Sequence, residues 1–202
     1  SSSEGSDIPD EMPNPDEGDD IPDETPNPDE GGGNGSVDFV NYIYNSDTFV
    51  NPVTGNATLK AQYYFIPTGV SKEVVGNVLR LTFDDISTSR NVQIKHGFGD
   101  GQVYYVQYKI KSTSTVSAGN SNKAVKLDPS EDFTVLSYVY TDTSASQYAI
   151  KINNRSETAQ GTVVEFKEPM KINLTEIYGS GNEPSLEECD KIFTTYKSGL
   201  VG

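Results

Sequence analysis

Tyrosine carries most of the chemistry this chain offers a ligand: there are 12 Tyr and 8 Phe, and no Trp. A phenol ring stacks on the apolar face of a sugar, and its hydroxyl reaches the sugar's substituents. Side chains alternate between the two faces of a strand. In the segment 102–111 this puts Tyr104, Val106, Tyr108 and Ile110 on an apolar row and Tyr105, Gln107, Lys109 and Lys111 on a polar one. Tyr105 is therefore expected to face solvent, with Gln107, Lys109, Arg80 and Gln147 as hydrogen-bonding partners for a glycan. Tyr138 and Tyr140 share one row of their own strand, and one of Tyr63 and Tyr64 must point away from the core. The expected carbohydrate-binding set is Tyr105, Gln107, Lys109, Arg80, Tyr138 and Tyr140. The competing reading of each ring is core packing with the hydroxyl at its rim.

Nothing points to catalysis. Asp84-Asp85 and Glu131-Asp132 are adjacent carboxylates, but neighbours in a strand face opposite sides. A glycosidase needs two carboxyls about 5–10 Å apart across a cleft. His96, the single histidine, cannot build a zinc site without Cys or a second His. Gly97–Gly101 (GFGDG) is glycine-rich, yet no helix follows it, so it is not a phosphate cradle. The single Cys189 excludes an internal disulfide and reads as a buried thiol. No cofactor is expected. A structural calcium ion would draw on oxygen-rich loops around Asp38, Asn41, Asp47 or Asp128/Asp132.

The elements that position these residues are β. From Val37 onward the pattern has period two, with turn residues every 8–12 positions. Strands are expected at 59–66, 77–84, 102–111, 133–141, 147–153, and 162–167 running on to 172–177. Turns are expected at 52–56, 97–101, 117–122, 142–146 and 153–156. Leu79, Leu81 and Phe83 should face the core. The expected fold class is all-β: an antiparallel β-sandwich of jelly-roll type over residues 37–202, with a C-terminal helix at 186–198.

Charge is uneven. Residues 1–36 hold 12 of the 30 acids and no Lys or Arg, while the remainder carries 18 acids against 15 bases, a net of −3. The overall −15 therefore belongs to the N-terminal stretch, and nucleic acid is excluded as a partner because there is no basic stripe. DIPDEMPNPDEG at 7–18 repeats as DIPDETPNPDEG at 20–31, and six of the 11 prolines lie here. A repeat this polar cannot bury a core, so 1–36 is expected to be a disordered acidic, Pro-rich linker. The chain lacks a run of about 18 apolar residues, so no membrane span is expected. It opens on Ser1-Ser2-Ser3, without the pattern of a signal peptide, and is expected to be a processed product or the C-terminal piece of a longer protein.

The most specific run is Leu174–Glu188. An apolar strand is expected to end at Ile177-Tyr178, with Gly179 and Gly181 permitting a tight reversal. Ser185 and Glu188 read as a capping box after Pro184. Glu187 and Glu188 complement the positive end of the helix dipole, and Lys191 and Lys197 the negative end. Leu186, Cys189, Ile192, Phe193 and Tyr196 give the helix an apolar stripe, and Gly199 is placed to end it.

This run resembles a pattern near the C-terminus of bacteriophage tail and minor structural proteins: an apolar strand, Leu-Thr, an aromatic-Gly-x-Gly-Asn-Glu-Pro turn, then an acidic amphipathic helix. The close match spans about residues 163–197, and a looser likeness runs back to about residue 48. There the motif closes a carbohydrate-binding-module-like sandwich, so Gly179, Gly181, Asn182, Glu183, Pro184, Ser185 and Glu188 are read as structural. The resemblance implies a non-enzymatic virion accessory domain, in a fibre, tail or head appendage, that binds host cell-wall or surface glycan. Other virion proteins would be engaged through the N-terminal region, and an oligomer is compatible with this. The alternatives are a structural decoration domain docking on a virion protein, and a binding module of a bacterial surface protein.

Overall fold

Alternating Val, Ile, Tyr and Thr residues build two stacked antiparallel sheets. In the computed structural model the described residues are 37–51, 63–95, 99–120, 122–143 and 148–201, with Tyr63 and Tyr148 placed by their backbone only. The expectations for the 1–36 linker, the 52–56 turn, His96, Gly97, Phe98, Gln147 and the Tyr63 ring lie outside the described residues.

The strands are β1 (Tyr63–Phe65), β2 (Val70–Val75), β3 (Val78–Phe83), β4 (Asn91–Lys95), β5 (Val103–Ser112), β6 (Val116–Gly119), β7 (Ala124–Leu127), β8 (Thr134–Thr141), β9 (Tyr148–Asn154) and β10 (Thr162–Asn173). The first sheet runs β1-β4-β9-β6-β7 and the second β2-β3-β10-β5-β8. The chain crosses repeatedly from one sheet to the other, giving a β-sandwich of jelly-roll type. The expected turn at 117–122 is narrower than read, because Ser117 to Gly119 belong to β6.

The core fills the space between the sheets. Leu79, Leu81 and Phe83 of β3 and Tyr104, Val106, Tyr108 and Ile110 of β5 all face inward, as the alternation predicts. Val92 and Ile94 meet them from β4, and Ile150 and Ile152 from β9. Burying one such side chain stabilises the fold by about 1.5–3 kcal/mol.

Strand β10 changes register halfway. Lys167 pairs with Lys109 but Met170 pairs with Gln107, so one extra residue is absorbed between them. The extra residue forms a β-bulge, with Glu168 at a φ of 54°. Val164 and Phe166 face the core before the bulge. After it the parity is reversed: Ile172 lies in the outer apolar cluster and Lys171 sits over the Tyr104 ring. Within β10, strand β3 pairs only with Thr162–Lys167. Beyond that point the free edge of β10 is covered by the chain at 41–42. The Tyr42 N–H donates to the Lys171 carbonyl at 2.8 Å, and the Lys171 N–H donates to Asn41 Oδ1 at 3.0 Å.

Two short helices follow, α1 (Leu174–Tyr178) and α2 (Leu186–Ile192). Leu174–Tyr178 was expected to prolong the strand. It turns helical because the Asn173 side chain accepts the Glu176 N–H at 3.0 Å and caps the new turn. The capping box of α2 is present: the Glu188 side chain accepts the Ser185 N–H at 2.7 Å, and Ser185 Oγ accepts the Glu188 N–H at 3.4 Å. Helix α2 ends at Ile192 rather than at 198. Two β-branched residues follow, Thr194 and Thr195, which are poor helix formers.

The apolar stripe of α2 is narrower than expected. Cys189 and Phe193 are buried, but Leu186 and Ile192 are each 38 % exposed. Tyr196 has left the helix and donates its hydroxyl to Asp47 at 2.7 Å. Lys197 is not at a helix end, and instead pairs with Asp38 at 3.0 Å. Burial pushes the Cys189 thiol up to about 11. Cys189 and Phe193 join Tyr105, Ile172 and Leu174 in a second apolar cluster, on the outer face of the second sheet. Val37 and Phe39 pack against it from the start of the described chain.

Glu183 pins the turn between the helices. Its carboxylate accepts the Thr175 hydroxyl at 2.6 Å and the Gly181 N–H at 2.8 Å. Gly199 serves close packing rather than ending a helix, since a Cβ there would run into the Ile43 carbonyl.

Candidate functional site

The outer face of the second sheet divides into a covered end and an open end. At the open end Glu165 of β10 sits between Arg80 of β3 and Lys111 of β5. It accepts from Arg80 at 2.7 and 3.1 Å and pairs with Lys111 at 2.9 Å. The Lys111 ammonium and the Arg80 guanidinium hold its carboxyl below the usual carboxylate value. Lys109 pairs with Glu168 at 2.6 Å. The Phe133 ring lies under two ammonium groups, Lys167 at 4.3 Å and Lys111 at 5.0 Å from its centre. A shallow hollow of about 880 Å³ runs between Arg80, Lys111, Thr113, Glu131 and Glu165.

The structure brings Arg80, Tyr105, Gln107 and Lys109 to this one face but divides their roles. Tyr105 is fully buried at the covered end, its ring 5.4 Å from that of Phe193. Its hydroxyl donates to Asp190 Oδ1 at 2.8 Å and accepts from Gln107 Nε2 at 2.7 Å. The expectation that Tyr105 faces solvent is thus corrected: its row is the outer one, but α2 roofs that row. Tyr138 and Tyr140 are also corrected, since both lie in the core between the sheets. The Tyr138 hydroxyl donates to the carbonyls of Ala149 and Gly119. Burial raises the phenol pKa of both residues. Tyr64 is buried as well, and donates to the Tyr44 carbonyl at 2.6 Å. None of the Tyr105, Tyr138, Tyr140 and Tyr64 rings offers its face to a ligand.

A different ring, Tyr42, lines open space. Tyr42 is half-buried where the chain passes the free edge of β10, edge-on to Tyr104 with ring centres 6.5 Å apart. It stands at the wall of two adjoining hollows. One, of about 350 Å³, is lined by Tyr42, Asp100, Gln102, Tyr104, Asn173, Thr175 and Glu176. The other, of about 330 Å³, shares Tyr42, Asn173 and Glu176 and extends past Asp38, Phe39, Val40 and Ile177.

The polar groups here are held in place by one another. The Tyr42 hydroxyl donates to Glu176 Oε2 at 2.5 Å. Burial, and after it the Glu176 carboxylate, pushes that hydroxyl up to about 12. The Tyr104 hydroxyl donates to Asp100 Oδ2 at 2.9 Å. Asn173 caps α1 with its oxygen while its Nδ2 donates to Gln102 Oε1 and to the Tyr104 hydroxyl. Thr175 Oγ1 accepts the Val103 N–H at 2.9 Å. Carboxylates and carboxamides fixed around an aromatic ring suit a ligand rich in hydroxyls, and the charge of Asp100 and Glu176 disfavours an acidic one.

Sequence reasoning missed Tyr42, Asp100 and Glu176. Tyr42 and Glu176 are 134 positions apart, so no local spacing links them. Of the cleft's rings only Tyr104 was singled out, as a core residue, and it is one; its hydroxyl end reaches the cleft.

Of the side chains expected to supply calcium ligands, Asp38, Asn41, Asp47 and Asp128 have protein partners, while Asp132 bonds Ser130 through its backbone. Asp38 pairs with Lys197, Asp47 accepts from Tyr196 and Ser198, and Asp128 pairs with Lys126. Asn41 bridges Pro169, Lys197, Ile43 and Lys171. No group of three or more His, Cys, Asp and Glu able to hold a metal occurs among the described residues. No helix among them is long and apolar enough to cross a membrane.

No protein-family model matches the chain, and no curated protein does. Solved structures of carbohydrate-binding modules are similar to it. A family 4 module gives a TM-score of 0.43 at 17% identity, covering 65% of this chain and 99% of that one. A family 29 module variant complexed with cellulohexaose gives 0.38 at 12% identity, covering 67% and 88%. Another family 29 module gives 0.34 at 13% identity, covering 68% and 86%. A likeness of this strength carries no function over to the chain.

Proposed function

We propose that the sandwich is a non-catalytic carbohydrate-binding module that takes an uncharged, hydroxyl-rich glycan in the cleft around Tyr42. The observation that carries this is the fixed set of planar polar groups, Asp100, Gln102, Asn173 and Glu176, around one half-buried tyrosine. Tyr42 supplies the stacking surface, and the amides and carboxylates exchange hydrogen bonds with sugar hydroxyls. A shallow site of this size binds weakly as a single copy, and display in many copies raises its avidity.

The resemblance of the closing motif to phage tail and minor structural proteins supports placing the module on a virion surface. Residues 1–36 would tether it to other virion proteins and the glycan would be that of the host. A bacterial surface protein is the alternative carrier. A second reading uses the open face of the second sheet, where Arg80 lines the hollow of about 880 Å³ and Lys109 and Gln107 lie further along β5. Its charged rim suits either a glycan or another virion protein.

The test is titration of the full chain with neutral and acidic cell-wall polysaccharides, followed by Tyr42→Ala and Arg80→Ala. Neutral glycan is expected to bind, with Tyr42→Ala weakening it about five- to tenfold and Arg80→Ala leaving it unchanged, since a lost stack is worth about 1–1.5 kcal/mol. The reverse pattern moves the site to the sheet face. Absence of binding to any polysaccharide, even by a multimer, overturns the glycan reading and leaves the docking role.

A further inference from the structure

Lys171 and Asp142 form a fully buried pair. The reversed parity of β10 turns Lys171 inward, where its Nζ lies 3.0 Å from Asp142 Oδ2, and both side chains are 0 % exposed. The ammonium sits 4.0 Å from the centre of the Tyr104 ring and 5.5 Å from that of Tyr140. Both backbones are fastened. Asp142 donates its N–H to the Gln102 carbonyl and accepts from Gly101, each at 2.8 Å. Lys171 is held by Asn41 and Tyr42 on one edge and pairs with Val106 of β5 on the other. The second carboxylate oxygen, Oδ1, accepts from the Gly99 N–H at 3.4 Å.

Two charges removed from water gain little net stability over an apolar pair of the same size. The arrangement has a second property. An amine and a carboxyl fail to condense in water because one is protonated and the other ionised. Moving the ammonium proton to the carboxylate inside this dry aromatic box leaves a neutral amine beside a neutral acid. Burial, opposed by the Asp142 carboxylate, lowers the Lys171 ammonium to about 8. Groups held in reacting geometry behave as if present at about 10⁵–10⁸ M.

We propose that Lys171 and Asp142 condense into an intramolecular isopeptide bond that joins β10 to the end of β8 across β5. Nζ attacks Cγ of Asp142, and the carbonyl electron pair moves onto Oδ1, facing the Gly99 N–H. A proton passes from nitrogen to Oδ2, that oxygen leaves with its protons as water, and the Oδ1 pair returns to close the amide. One C–N bond forms, one C–O bond breaks, one water is released, and nothing is oxidised or reduced.

The test is the intact mass of the denatured full chain, compared with the mass of its sequence. The expected result is a species one water lighter. Digestion should yield a branched peptide joining the fragments of Asp142 and Lys171, and Lys171→Met and Asp142→Ala should each restore the full mass. The wild-type measurement decides even if a variant fails to fold. A chain at its full sequence mass after prolonged incubation at neutral pH overturns the proposal. So does a lost water that fragmentation places anywhere other than between these two residues.

Discussion

The two halves of β10 share one strand and one pair of faces, yet are used in opposite ways. From Thr162 to Lys167 the strand lies between β3 and β5, with Phe166 in the core and Glu165 outside among cations. From Met170 to Asn173 it lies between β5 and the 41–42 segment, with a charged residue inside and Ile172 outside under α2. One bulge residue separates the halves. The difference shows that a sandwich can place a polar network and a second apolar layer at one end without interrupting the strand that carries both.

Changes at three positions test this contrast. Phe166→Ala removes a ring from the regular half and should cost about 3–5 kcal/mol in urea denaturation. A cost below about 1 kcal/mol would mean that this half does not anchor the core. At the bulge, Glu168 occupies the left-handed region at a φ of 54°. Glu168→Val should destabilise by about 1–2 kcal/mol, whereas Glu168→Gly should stay within about 1 kcal/mol of wild type. Equal costs for the two would show that the Lys109 pair, rather than backbone conformation, is what matters there. The smallest effect concerns acid. Glu165 has its folded pKa held below the ordinary value of 4.5, so its pairing stabilises the fold above that value. The contribution fades as pH falls from there through the folded value. Glu165→Gln should therefore flatten the loss of thermal stability below about pH 4.5. An unchanged acid limb would mean the pairing contributes nothing.

The contrast also explains what the sequence could reveal. The inward rows of β3 and β5 were legible because strict alternation with apolar residues marks one face. The capping box was legible because Ser185 and Glu188 stand at the required spacing. Strand β2 was not, since it is an edge strand with only Val70 buried and carries little apolar signal. Strands β6 and β7 are four residues each, too short for a periodic pattern. Leu174–Tyr178 has the composition of a strand, and only the Asn173 cap makes it a helix. Past residue 167 alternation misassigns every face, because the bulge adds a residue that periodicity cannot register. Tyr105 was placed on the correct row, but the helix above it is recruited from more than 80 positions away. The cleft around Tyr42 gathers residues from three distant segments, so its only local trace was the aromatic content itself.

The two ends of the described chain run side by side. The Asn45 N–H donates to the Leu200 carbonyl and the Gly199 N–H to Ser46 Oγ, each at 2.8 Å. A pulling force applied through residues 45 and 200 would thus arrive and depart at neighbouring points. It would load this short zipper and leave the sandwich hanging beside the line of tension, with its cleft undistorted until the zipper parts.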